Sequence, residues 1–196
     1  MTPGLYPGIP LPDYHAAPGL SKSDLDRIAR SPAHYRHRDR EVTPAMRLGA
    51  AVHACVLEPD TWERRYARTT GRRQHDAEPD RTVVSTAEWD TCLRIRDAVW
   101  NHPTCQDLLS DGQAELSAWW LDPETQLLCK CRPDWSRPGL LVDLKTTTDA
   151  SPAGFCRAVE RYRYHVQAAY ALDGWPDAGG GIEQFISNRQ GINLRL

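Results

Sequence analysis

The chain reads as an α/β domain, a small mixed β-sheet flanked by helices. Three features of its 196 residues predict this class. Apolar residues recur at helical spacing through about 21–101, the pattern changes to strand-like runs through 114–146, and helical spacing returns over 152–172. Helices, a β-meander and helices again make a mixed layer arrangement rather than a bundle or a sandwich. The length suits one domain with a sizeable core.

The elements follow in order. Residues 1–20 hold five prolines and three glycines without sustained periodicity, and predict an extended N-terminal arm. Ser21-Lys22-Ser23-Asp24 supplies helix-capping residues ahead of Leu25, Ile28 and Ala29, and Ser31-Pro32 interrupts that helix. Pro44–Leu57 predicts a second helix, closed by Glu58-Pro59. It is apolar on nearly every side, which predicts burial, yet it carries His53. Residues 61–81 are polar, with Arg64, Arg65, Arg68, Arg72 and Arg73 falling in one acid-free stretch. That stretch suits a solvated loop or, more sharply, a loop that contacts phosphate. A third helix is predicted over 86–101 and stopped by His102-Pro103.

Strands are predicted over 114–121 and 127–135, joined by a turn at Asp122-Pro123-Glu124-Thr125. A second turn at Ser136-Arg137-Pro138-Gly139 leads into a third strand, Leu140–Thr146. Helices return over 152–160 and 164–172, and 184–186 suit a short strand.

Composition narrows the function classes. A hydrophobic fraction of 40% and a charged fraction of 26% exclude collagen-like, coiled-coil and fully disordered chains. The formal net charge of -2 argues against coating nucleic acid by bulk charge and leaves room for a local basic groove. No apolar run is long enough for a bilayer and no leader pattern opens the chain, which predicts a cytoplasmic protein with no membrane partner. The six cysteines then read as reduced thiols, and Cys129-Lys130-Cys131, with no second pair, does not suit zinc. Only Lys22, Lys130 and Lys145 of the 24 basic residues are lysines, a bias that a G+C-rich coding sequence also produces.

The chemistry concentrates in Arg132-Pro133-Asp134 and, eight residues on, Asp143-Leu144-Lys145. Residues two apart in a strand share a face, so Asp143 and Lys145 project together. With Asp134 at hairpin distance and Glu115 on the preceding strand, the carboxylates make a set of hard oxygen donors suited to Mg2+. An isolated Asp-x-Lys is more often a strand-end ion pair, and a lone histidine on an apolar helix more often a core residue. A carboxylate cluster within reach would give His53 a role as a metal ligand.

Gly49-Ala50-Ala51-Val52-His53, Asp134, Asp143-Leu144-Lys145 and Gln167-Ala168-Ala169-Tyr170 together resemble the PD-(D/E)XK nuclease superfamily. More narrowly they resemble the RecE-like nuclease domain, exodeoxyribonuclease VIII, of phage and prophage type. Leu20-Ser21-Lys22-Ser23, Ser31-Pro32-Ala33-His34-Tyr35, Val56-Leu57-Glu58-Pro59 and Cys131-Arg132-Pro133-Asp134-Trp135 fit the same resemblance, as do Asp143-Leu144-Lys145-Thr146-Thr147 and Tyr164-His165. It covers about residues 20–173.

The resemblance implies a restriction-endonuclease-like core. It implies that His53, Asp134, Asp143 and the Leu144 carbonyl ligate one or two Mg2+ or Mn2+ ions, with Glu115 as a further acidic residue. Lys145 would be the catalytic lysine. Gln167 and Tyr170 would be the Gln-x-x-x-Tyr element that supports the site and the DNA end. Implied too are degradation of linear double-stranded DNA from the 5′ end in phage-type recombination, assembly as a homo-oligomeric ring and cooperation with a single-strand annealing protein.

The expected organisation is therefore an arm over 1–20, an exonuclease-like domain over 21–175 and an atypical tail over 176–196. After Tyr170 the likeness fades into Trp175-Pro176-Asp177-Ala178-Gly179-Gly180-Gly181 and a segment without family pattern, as a truncated or frame-changed C-terminus would be. The alternative function is a catalytically impaired remnant that binds DNA ends without turnover. Trp119, Trp120 and Trp135 suit core packing better than base stacking.

Overall fold

The computed structural model describes residues 1–37, 42–69, 81–175, 182–188 and 191–195, the last two stretches by backbone alone. The elements are β1 Gly4–Tyr6, α1 Leu11–Ala16, α2 Lys22–Arg30, α3 Pro32–Arg36, α4 Pro44–Leu57, α5 Pro59–Arg65, β2 Tyr66–Arg68, β3 Thr82–Val84, α6 Thr86–Trp100 and α7 Pro103–Leu108. There follow β4 Gln113–Ala114, β5 Ser117–Leu121, β6 Leu128–Cys131, β7 Trp135–Arg137, β8 Leu140–Thr146, α8 Pro152–Tyr162, α9 Tyr164–Gly174, β9 Ile182–Asn188 and β10 Gly191–Arg195. The chain packs as two compact units: Met1–Glu41, Asp111–Asp143 and Ala153–Glu183 form the first, and Val42–Ser110, Leu144–Pro152 and Gln184–Leu196 the second. No described helix is long and apolar enough to cross a membrane.

In the first unit β5 and β6 form the predicted hairpin, with Ala118 opposite Cys131 and Leu121 opposite Leu128. Asp122 closes its turn by accepting from the Thr125 amide and hydroxyl at 2.7 and 2.6 Å. Ala118, Cys131, Leu141 and Ala171 make a buried cluster on which Trp120, Leu172 and Trp175 pack. Gly174 is required there, because a Cβ on it would stand 2.2 Å from the Trp120 ring. Helix α2 starts where its sequence signal lies: Ser21 and Asp24 cap each other's backbone amides in a capping box, an arrangement worth about 1 kcal/mol.

Three expectations need correction in this unit. The first 20 residues are not simply extended, since β1 pairs with β5 and the buried Tyr14 of α1 sets its ring 5.6 Å from that of Trp119 on β5. Trp119 Nε1 donates to the Pro18 carbonyl, and the buried Lys130 ammonium donates to the carbonyls of Tyr14 at 2.8 Å and Ala17 at 2.6 Å. The strand predicted over 114–121 breaks into β4 and β5, which belong to different sheets, because Glu115 adopts φ 54. The strand predicted over 127–135 divides likewise into β6 and β7, so Asp134 lies between strands rather than within one.

The second unit is built on α4 and α6. Thr43 caps α4 through its hydroxyl and Pro44 opens its first turn. Only the C-terminal half is buried (Ala51, Val52, Ala54, Cys55, Val56 and Leu57), whereas Met46 stands exposed, so the expectation of all-round burial holds for half the helix. Trp100 ties α6 to α4 by donating Nε1 to the Val56 carbonyl at 3.0 Å. The arginine-rich stretch begins as helix α5 and strand β2, parallel to β3, rather than as loop. Arg64 and Arg65 lie in the last turn of α5, Arg68 pairs with Asp90 at 3.6 Å, and Arg72 and Arg73 lie outside the described residues. Residues 144–146 of β8 and the stretch Gln184–Leu196 also belong to this unit. β9 extends the strand expected at 184–186, and β10 returns antiparallel to it.

Candidate active site

The first unit contributes four of the residues singled out in the sequence as well as Tyr170. Glu115 lies between β4 and β5, and Asp134 immediately before β7. The Glu115 amide donates to the Asp134 carbonyl at 3.1 Å, so the two segments are held side by side. Their carboxylate oxygens lie within 4.8 Å of one another. Asp134 is buried and Glu115 half-buried.

Two carboxylates so close repel each other unless positive charge is near. Arg132, whose side chain is 5% exposed, brings Nε to 4.0 Å from Glu115 Oε2. The guanidinium is fixed on its other sides. Nε donates to Ser117 Oγ at 2.8 Å, Nη2 donates to the Ile9 carbonyl at 2.9 Å, and the Tyr14 ring lies 4.2 Å beneath it. The N-terminal residues thus buttress a candidate site residue through one arginine.

Asp143, 6% exposed, lies on β8. Its Oδ1 accepts from Gln167 Nε2 at 2.8 Å, which joins two sequence motifs 24 residues apart. Tyr170 stands one helical turn beyond Gln167 on α9 and is turned to a different partner, donating its hydroxyl to the Leu20 carbonyl at 2.6 Å. Burial, and then a hydrogen bond with Cys129, push that hydroxyl well above the usual tyrosine range and keep it protonated. The Leu20 carbonyl also accepts from the Lys130 amide at 2.7 Å. Tyr170 therefore anchors α9 to the β5–β6 side of this unit, and α9 carries Gln167.

The second unit contributes His53, Leu144 and Lys145. His53 is half-buried on α4 among fully buried neighbours. Leu144 is fully buried on β8, and Lys145 is half-buried one residue on. Strand alternation sends Asp143 and Lys145 from the same face of β8.

The donor set suits a hard divalent cation, since the clustered groups are carboxylate oxygens. Thiolate ligation has no comparable support: burial pushes the Cys131 thiol up to about 12, so it stays protonated near neutral pH. Arg132 is named in the sequence motif without a role of its own, and Ser117 is not singled out there. The arginine two positions before Asp134 was the only available signal, and its target, Glu115, is 17 residues away. Trp119 is buried with its indole N–H satisfied, and Trp120 packs on the core, so those two are packing residues.

A family model described as a PDDEXK-like domain of unknown function (DUF3799) matches residues 21–174, more than three quarters of the chain. None of the curated proteins compared matches the chain.

Proposed function

The chain belongs to that PDDEXK-like family, and on this premise we propose that it is a metal-dependent DNA exonuclease of the RecE-like kind. Its substrate is linear double-stranded DNA, degraded from the 5′ end. The family places it coarsely among hydrolases of the nuclease type; the direction, the DNA end and a recombination role are the finer reading. The observation that carries it is the Gln167–Asp143 hydrogen bond, because it joins the two motifs on which the resemblance rests.

In this reading Asp134, Asp143, Glu115, His53 and the Leu144 carbonyl would hold one or two Mg2+ or Mn2+ ions. A bound divalent cation would supply Lewis-acid stabilisation of the charge that develops on the scissile phosphate. The chain's own groups do the rest. Lys145 presents a cation on the Asp143 face of β8, where it positions the attacking water and offsets phosphate charge. Gln167 keeps the Asp143 carboxylate in one rotamer, and Arg132 sets a positive charge beside Glu115. Tyr170 holds α9 in place. A ring of copies and a strand-annealing partner belong to the same proposal.

End-labelled linear duplex, incubated with and without Mg2+ beside circular DNA, tests it. We expect Mg2+-dependent loss of the linear form alone, abolished by Asp143→Asn and by Lys145→Ala without a change in melting temperature. Wild-type cleavage by either variant overturns the site. Bound ends without cleavage by the wild-type chain favour a binding-only protein.

A further inference from the structure

Between α8 and α9 one residue, Arg163, takes φ 54, the left-handed region that a non-glycine residue seldom adopts. The turn brings Tyr162 and Tyr164 together, with ring centroids 5.7 Å apart and planes 22° from parallel. The Arg161 guanidinium adds to the stack at 5.5 Å from the Tyr162 ring. Tyr162 remains 52% exposed, far more than core packing of a tyrosine requires.

The backbone beneath these rings is tied down. Lys22 Nζ donates to the Tyr162 carbonyl at 2.6 Å and pairs with Asp26 at 2.8 Å, and Arg163 donates to the same Asp26 at 3.0 Å. Rings held in advance bind a flat partner with little further loss of conformational freedom. With Lys22 and Asp26 counted, the junction carries four cations (Lys22, Arg157, Arg161 and Arg163) and two acids (Asp26 and Glu160), so the surface still favours an anionic partner.

We propose that the α8–α9 junction is a stacking platform for an unpaired base of a single-stranded DNA end. Flat aromatic faces interleaved with arginines are the chemistry of single-strand binding, in which bases stack on rings and guanidinium groups meet the backbone. Tyr164 and Gln167 are three residues apart on α9 and so share a side of the helix, about one turn from each other. A base on the platform thereby brings its strand towards the carboxylate that Gln167 holds. The identification of the strand as DNA rests on the nuclease reading; the stacking itself does not.

Fluorescence anisotropy of a labelled oligothymidylate with the full chain in EDTA tests the platform without hydrolysis. Tyr162→Ala is expected to weaken binding about 10-fold, Tyr162→Phe to stay within about twofold of wild type, and Arg161→Gln to lose about threefold. Binding of blunt duplex should change little in all three. Wild-type affinity in Tyr162→Ala, an equal loss in Tyr162→Phe, or an equal loss on blunt duplex each overturns the proposal. Arg161→Gln lies on an exposed side chain and remains informative if Tyr162→Ala does not fold; unchanged affinity in it also counts against the platform. The cleavage assay is separate. A chain that binds through the rings but never cleaves would sink the nuclease reading alone, and one that cleaves with ring-independent binding would sink the platform alone.

Discussion

Gln167 Nε2 donates to Asp143 Oδ1 across 2.8 Å, from the first turns of α9 to the middle of β8. Neither residue's sequence neighbourhood names the other, yet the pair fixes where one lone pair of a buried carboxylate goes. A carboxylate with one oxygen pinned has one orientation to offer a cation, and such supporting contacts typically govern metal affinity.

Gln167→Leu, similar in size but unable to donate, should therefore slow hydrolysis of linear duplex by about 10- to 100-fold and raise the Mg2+ concentration needed for half-maximal rate. Because Asp143 is buried, the variant also takes one donor from its carboxylate, so a fall of about 1–3 kcal/mol in stability should accompany the loss of rate. Unaltered rate and Mg2+ dependence would mean that Asp143 needs no such support.

Lys130 is 3% exposed, and its ammonium holds carbonyls at the C-terminal end of α1. Lys130→Met leaves those carbonyls buried without their donor, at a cost of about 2–4 kcal/mol. Urea unfolding should register the loss, and limited proteolysis should then cut within residues 1–20 of the variant under conditions that spare the wild type. Equal resistance of both proteins would contradict the clamp.

Gly174→Ala forces a methyl into the Trp120 ring, with three ring atoms within 2.4 Å of the added carbon. Ring and helix must separate, and overpacking of this kind costs about 1–3 kcal/mol. A lowered thermal midpoint checks it. Gly139→Ala makes a useful contrast, because no atom stands within 4 Å of its added carbon and any cost there comes from φ 75 alone.

Five of the six cysteines are buried and Cys156 is exposed. Burial raises Cys55 and Cys105 to about 11, and Cys92 and Cys131 to about 12, from an ordinary 9.0. Because the folded chain holds these protons more tightly than the unfolded one, their contribution is complete below pH 9 and is lost as pH rises towards 11–12. Denaturation midpoints should fall steadily above about pH 9, and less steeply in Cys92→Ala. A thiol reagent at neutral pH should label one cysteine in the native protein, Cys156, and all six after unfolding; rapid native labelling of several would show that the thiols are accessible.

Helix α4 and strand β8 occupy the ranges their sequences predict, Pro44–Leu57 and Leu140–Thr146. Their signals are local: a capping threonine and proline at one end, alternation and flanking turn residues at the other. The same holds for the Ser21 capping box and the Asp122 turn. Membership of the PDDEXK-like family was legible for the same reason, since residue types and spacings are written along the chain.

The breaks at Glu115 and Asp134 were not legible, because the residues on either side look like continuous strand and only pairing with different sheets separates them. Nor was the folding of residues 1–20, which depends on Trp119, Lys130 and Arg132, all more than 100 positions away. Tyr170 shows the divide in a single residue: its place in the Gln-x-x-x-Tyr spacing is a matter of sequence, but its bond to Leu20 belongs to the fold. Backbone preference and periodicity act over a few residues and set the elements. The carboxylate contacts, the arginine that offsets their charge and the stacked tyrosines are decided by which distant surfaces must share a core, and that is settled only when the chain packs.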